Sequence, residues 1–222
     1  MGIKNNITNI SSRLNSFQAR LVAVSKTQPV DAIAEAYEGG QRIFGENKVQ
    51  ELVEKQPQLP SDIAWHLIGH LQTNKVKYIA PFISLIHSVD SIRLLAEINK
   101  QGLKNNRVIH CLLQVYIAKE ESKFGLDFDE VTQLIKSPQT ALMKNVTIDG
   151  LMGMASLTDN QDQIRSEFWS LKKLFDDIKN ESLPQNIQMV ELSMGMSSDY
   201  SIALEVGSTL VRIGTAVFGN RI

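Results

Sequence analysis

The sequence predicts a single (β/α)8 barrel, and three observations carry that prediction. Eight short apolar runs alternate with stretches of helical period. Most of the runs are continuously apolar, as strands buried on both faces are. Strict strand–helix alternation implies parallel pairing through right-handed crossovers, and eight such units close into a barrel. A chain of 222 residues is compact for that fold. The competing architecture is an open doubly wound sheet. Its dinucleotide fingerprint, G-x-G-x-x-G, would follow the first strand, yet "SKTQPV" contains no glycine.

The elements follow in order. Residues 1–20 read as a lead-in helix. "LVAVSK" (21–26) is the first strand, and "PVDAIAEAYEGG" its helix, with Pro29 at the start, Ile33, Ala34 and Tyr37 on one face and Gly39-Gly40 as the stop. "RIFGEN" (42–47) leads to "KVQELVEKQ", with Val49, Leu52 and Val53 inward. "AWHLIG" (64–69) precedes a short helix around "TNKVKYIA". "ISLIHSV" (83–89) leads to a helix capped by Ser91, with Ile92, Leu95 and Ile98 on its buried face and Gly102 as the stop. "VIHCLLQVY" (108–116) is the fifth strand and "DFDEVTQLIKS" its helix. "VTIDGLMGM" (146–154) precedes a long helix near 160–179, with Ile164, Phe168, Leu171, Phe175 and Ile178 at helical spacing. "QMVELSM" (188–194), the short helix "SDYSIALEVG" and an eighth strand, "TLVRIGTAVFG" (209–219), complete the pattern. No linker, repeat or low-complexity segment divides it, so residues 1–222 read as one domain.

Composition excludes several function classes. The chain is 43% hydrophobic and 21% charged, with a net charge of −1. Its basic residues are scattered, which leaves no nucleic-acid footprint. The lone Cys111 lies in an apolar run and reads as a buried structural thiol in a reducing compartment. "MGIKNNITNI" has no apolar signal region, and Asn6 breaks the myristoylation pattern after Gly2. No apolar run reaches the ~20 residues of a membrane span. The expected location is the cytoplasm. His70, His87 and His110 have no metal-ligand spacing and read as core or surface residues; Trp65 and Trp169 read as core.

A barrel gathers its active site at the C-terminal ends of the strands. The residues there include Lys26, Glu46 and Asn47, His66 and Gly69, His87 and Asp90, Gln114 and Tyr116, Met152 and Met154, Ser193, and Arg212, Gly214 and Thr215. A lysine so placed is partly desolvated. Desolvation lowers its pKa, and the neutral amine can attack a carbonyl to form a Schiff base. The same lysine could instead ion-pair with Glu46 or Asp90, or contact an anion. Arg212 within a strand needs a fixed partner. Gly214-Thr215 and "SMGMSSD" both suit a phosphate, as the turns after strands seven and eight often do in barrels. Both also read as tight turns with polar caps. The methionine pairs 152/154 and 194/196 read as barrel filling or as packing for a cofactor.

Taken together, "AVSKTQP", "FGENKVQE", "WHLIGHLQTNK", "SVDS", "KFG", "LSMGMSSD" and "VRIGTAVFG" resemble the YggS/PROSC family of pyridoxal 5′-phosphate (PLP) homeostasis proteins. The resemblance runs from about residue 20 to the C-terminus. It implies a barrel like the N-terminal domain of alanine racemase, with PLP at the mouth. It implies that Lys26 holds PLP as an internal aldimine and that Arg212 faces the pyridine nitrogen. Ser193, Gly214 and Thr215 would hold the phosphate, Asn47 would lie beside the cofactor, and His66 and Met154 would line the pocket. One departure is Tyr116, where the family usually has asparagine in "QVN".

The resemblance also bears on catalysis. A protonated pyridine ring is PLP's electron sink. A permanently charged arginine beside the nitrogen disfavours that protonation, so carbanion chemistry is damped. Racemases of this type add a tyrosine base from a second, β-rich domain, which this sequence lacks unless Tyr116 substitutes for it. The expectation is therefore a monomeric, non-catalytic protein that buffers or delivers PLP, with PLP-dependent apoenzymes as partners. The alternatives are a weak amino-acid racemase or another single-base PLP enzyme. A cofactor-free aldolase would need the lysine but neither Arg212 nor a phosphate cradle.

Overall fold

A computed structural model describes residues 2–119 and 124–219. Eight parallel strands form a closed barrel in sequential order. They are β1 (Arg20–Val24), β2 (Ile43–Glu46), β3 (Ala64–Leu67), β4 (Leu85–Val89), β5 (Ile109–Tyr116), β6 (Val146–Met154), β7 (Ile187–Ser193) and β8 (Leu210–Ile213). Closure rests on the pairing of β1 with β8, from Arg20 opposite Leu210 to Ala23 opposite Ile213. That pairing excludes the open doubly wound sheet.

Ten helices surround the described barrel: α1 (Ile3–Asn15), α2 (Val30–Glu38), α3 (Val49–Lys55), α4 (Val76–Ile79), α5 (Ile92–Lys104), α6 (Phe128–Lys136), α7 (Pro138–Ala141), α8 (Gln161–Lys179), α9 (Tyr200–Val206) and α10 (Thr215–Phe218). Local chemistry sets several starts. Ser91 Oγ accepts from Leu94 N–H at the head of α5. Asp127 and Glu130 form a reciprocal capping box on α6.

The strands read as apolar runs because two cores share them. Phe44, Leu67, Ile86, Leu113, Leu151 and Val211 point outward under the helices. Val22, Leu85, Leu112, Met152 and Leu210 point inward and fill the lower barrel. Residues alternate between these cores along each strand. His66, His87 and Arg212 fall on inward positions above the apolar plug.

Four sequence expectations need correction. The run 209–219 is not one strand: β8 ends at Ile213, and Thr215–Phe218 coils into α10. Gly102 does not stop its helix; α5 runs to Lys104, and a side chain at Gly102 would collide with the Asn145 carbonyl. Val53 is exposed, because α3 buries only Val49, Leu52 and Lys55. Trp169 is 53% exposed, one position off the apolar stripe of α8.

Candidate functional site

At the C-terminal ends of the strands lies a cavity of about 550 Å³. That volume suits a small organic ligand. Lys26, Asn47, Met154, Arg212, Gly214 and Thr215 all line it. Thus six of the eight residues singled out from sequence meet at one place, drawn from β1, β2, β6 and β8 or the turns that follow them. Ser193 and His66 do not line the cavity; both are buried in the barrel beneath it.

Arg212 is 4% exposed. Its Nη1 donates to the Ser193 carbonyl at 2.9 Å and to Ser193 Oγ at 2.6 Å. Its Nη2 donates to the Gly153 carbonyl at 2.9 Å. Three of the five guanidinium N–H groups are thereby satisfied inside the barrel. Burial pulls its pKa down to about 10, with the Asp199 charge acting in the opposite direction. The group is still cationic at neutral pH.

A buried chain extends from Arg212. Ser193 Oγ lies 3.0 Å from His87 Nδ1, and His87 Nε2 lies 2.9 Å from His66 Nδ1. A guanidinium only donates, so Ser193 Oγ accepts from Arg212 and meets His87 Nδ1 with its remaining proton or lone pair. Both imidazoles are neutral. Burial, reinforced by the Arg20 charge, pushes His66 down to about 3. Burial, then electrostatic interaction with neighbouring His66 and with the Arg212 cation, hold His87 far below the usual histidine range. His87 read from sequence as a core or surface residue. The available signal was parity: it lies two residues beyond inward-facing Leu85.

The turn after β7 is built by Gly195, whose φ of +94° is left-handed and whose added Cβ would meet Ala203 Cβ at 2.6 Å. Asp199 accepts from Met196 N–H across the same turn. The hydroxyl residues that this turn brings to the cavity are Ser197 and Ser198, where the sequence had singled out Ser193. Asn47 is held by a close approach: a Cβ on Gly69 would lie 2.4 Å from the Asn47 carbonyl oxygen. From β5 it is Gln114 that lines the cavity; Tyr116 is half-buried at the strand end.

Lys26 occupies the turn after β1, and its neighbours are fixed. Ser25 Oγ donates to Glu46 Oε1 at 2.7 Å, and Thr27 N–H donates to Glu51 Oε1. The two carboxylates weighed as ion-pair partners of Lys26 also meet other cations or imidazoles. Lys55 Nζ lies 2.9 Å from Glu46 Oε1, and His70 Nδ1 lies 3.4 Å from Asp90 Oδ2. Burial raises the pKa of the Cys111 thiol far above its usual value, consistent with a structural role. Among the described residues no cluster of three His, Cys, Asp or Glu side chains is placed to hold a metal ion. No helix there is long and apolar enough to cross a membrane.

Residues 2–221 match the family model for the N-terminal domain of alanine racemase. The chain is 41% identical to a pyridoxal phosphate homeostasis protein of Aquifex aeolicus over 204 residues, covering 91% of this chain and 87% of the relative. It is 37% identical to the protein of that name from Haemophilus influenzae, covering 100% of this chain and 97% of the relative. The chain belongs to the pyridoxal phosphate homeostasis protein family. Solved structures agree with that membership. PipY from Synechococcus elongatus, 35% identical, superposes with a TM-score of 0.90 without PLP and 0.86 with PLP bound. Each comparison covers 98% of this chain and 100% of PipY. Alanine racemase from Streptomyces lavendulae shares the fold, with a TM-score of 0.80 at 15% identity over 99% of this chain and 57% of its own. Within the "KFG" segment of this family member, Phe124 lines the cavity, while Lys123 lies outside the described residues.

Proposed function

We propose that this protein binds PLP at the barrel mouth, anchors it covalently through Lys26 and serves intracellular vitamin B6 homeostasis as a carrier without strong catalytic activity. One observation carries the reading: Lys26, buried cationic Arg212 and the Gly214-Thr215 turn converge on a single cavity of about 550 Å³. PLP bound to PipY and the names of the relatives support it.

The donor set fits the group. Arg212 keeps two N–H groups beyond those used by Ser193 and Gly153, enough to face a pyridine nitrogen as donor. Gly214 and Thr215 begin α10, where backbone N–H groups have no intrahelical acceptor. Ser197 and Ser198 add hydroxyls on the phosphate side. Ser193 acts in this reading by holding Arg212. Asn47 and Met154 flank the ring, and His66 supports the cavity floor through His87. When bound, PLP supplies an aldehyde that an amine can capture with loss of water, and a ring that can accept negative charge. A cation at the ring nitrogen opposes its protonation and so limits that acceptance. Cargo passes from the monomeric chain to PLP-dependent apoenzymes.

Borohydride reduction of the PLP-treated protein, followed by peptide mapping, is expected to label Lys26 in wild type and nothing at that position in Lys26→Ala. The loaded protein is expected to leave the α-proton of added amino acids unexchanged in D2O. A wild-type chain that takes up no PLP overturns the reading.

A further inference from the structure

We propose that Glu46, Glu51 and Lys55 form a clamp that positions Lys26, with Glu51 and Lys55 as positioning residues for covalent capture of PLP. The inference rests on the role given to Lys26 above.

The clamp holds the residues on both sides of the lysine. On one side, Ser25 Oγ donates to Glu46 Oε1 at 2.7 Å, and the Ser25 carbonyl accepts from Lys55 Nζ at 2.8 Å. On the other, Thr27 has φ of +64°, an unfavourable left-handed conformation for a β-branched residue. Its N–H is held there by Glu51 Oε1. Lys55 joins the two halves. Its ammonium also donates to Glu46 Oε1 at 2.9 Å and Glu51 Oε1 at 2.6 Å, so all three of its donors are engaged.

This arrangement is not the one that packing alone would favour. Glu46 is 0% exposed and Lys55 6%, yet Glu46 Oε2 is buried with no hydrogen-bond partner among the described residues. Apolar side chains commonly replace buried ion pairs without loss of stability. What distinguishes this network is its targets: it grips the residues before and after one lysine at the cavity. Strained backbone held by its surroundings is typical of functional sites. With both flanks fixed, the Lys26 stem leaves the backbone in a set direction. Glu46 also precedes Asn47, so the clamp braces a second cavity residue.

The test uses the full chain as wild type, Glu51→Ala, Glu51→Gln and Lys55→Met. Three readouts are taken: melting temperature, the rate of PLP capture trapped at Lys26, and affinity for 4′-deoxypyridoxine phosphate, which lacks the aldehyde. Glu51→Ala and Lys55→Met are expected to slow capture by about tenfold or more, the scale of small misplacements at a reacting group. Affinity for the aldehyde-free analogue is expected to stay within about twofold of wild type on the same argument. Glu51→Gln keeps an oxygen for Thr27 N–H and is expected to retain most of the rate. If Lys55→Met fails to fold, the Glu51 pair decides, since that side chain is partly exposed. Folded variants that capture PLP at the wild-type rate overturn the clamp and leave the PLP reading standing. A wild type that captures no PLP overturns both.

Discussion

His66 and His87 lie beneath Arg212 as two neutral imidazoles in one hydrogen-bonded chain, and their neutrality has a measurable consequence. The folded pKa of His66 is about 3, against an ordinary value of 6.5. Above pH 6.5 neither the folded nor the unfolded chain protonates it, and its contribution to stability is constant. As pH falls below 6.5, the unfolded chain gains a proton that the folded chain refuses. Stability then falls by about 1.4 kcal/mol per pH unit for this one group. Urea unfolding at several pH values should therefore show a shallower loss between pH 6.5 and 5 in His66→Gln, by roughly 1 kcal/mol per unit. An identical slope in wild type and variant would mean that folded His66 is protonated. Sequence revealed the strand-end residues at this scale, but not their pairing. Ser193 was legible as a polar strand end; that its hydroxyl joins Arg212 to His87 depends on strands distant in sequence.

At the scale of the element, α8 shows how one position of phase separates core from surface. Phe168 is fully buried, and its neighbour Trp169 is 53% exposed. Phe168→Ala should cost about 3–5 kcal/mol in chemical denaturation, the usual result for a large aromatic in a close-packed core. Trp169→Ala should stay within about 0.5 kcal/mol, as exposed substitutions do. The reverse order of effects would place the helix in a different phase. Hydrophobicity alone marked both residues as core; the 3.6-residue period marks only Phe168. The eighth strand teaches a related lesson. "TLVRIGTAVFG" is largely apolar on both sides of Gly214, but Gly214 ends the strand and starts α10. A short apolar run does not reveal whether its backbone extends or coils.

For the whole molecule, a ligand that binds only the folded barrel must stabilise it. PLP at about 100 times its dissociation constant should add about 2.7 kcal/mol. For a chain of this size that corresponds to a rise in Tm of roughly 5–10 °C in a thermal scan. Lys26→Ala should show a smaller rise at the same PLP concentration, since it loses the covalent anchor. A wild-type Tm indifferent to PLP would contradict binding at the mouth. The seam of the barrel carries this coupling: β8, which bears Arg212, closes the sheet against β1, which leads into Lys26.

The sequence by itself determined the number and order of the strands, their parallel pairing, the end of the barrel that carries the polar residues, and nine residues of the cavity, Gly69, Asp90 and Gln114 among them. These are local signals, expressed as short apolar runs, helical periods and the residues where each run stops. Tertiary structure alone decided which polar groups pair. Glu46 meets Lys55 and Ser25, Arg212 meets Ser193 and Gly153, and Ser197 and Ser198 reach the cavity where Ser193 does not. The physical reason is that a buried polar group must find a partner wherever barrel closure brings one within reach. Closure sets those distances between strands far apart in the chain, and no periodicity along a single strand records them.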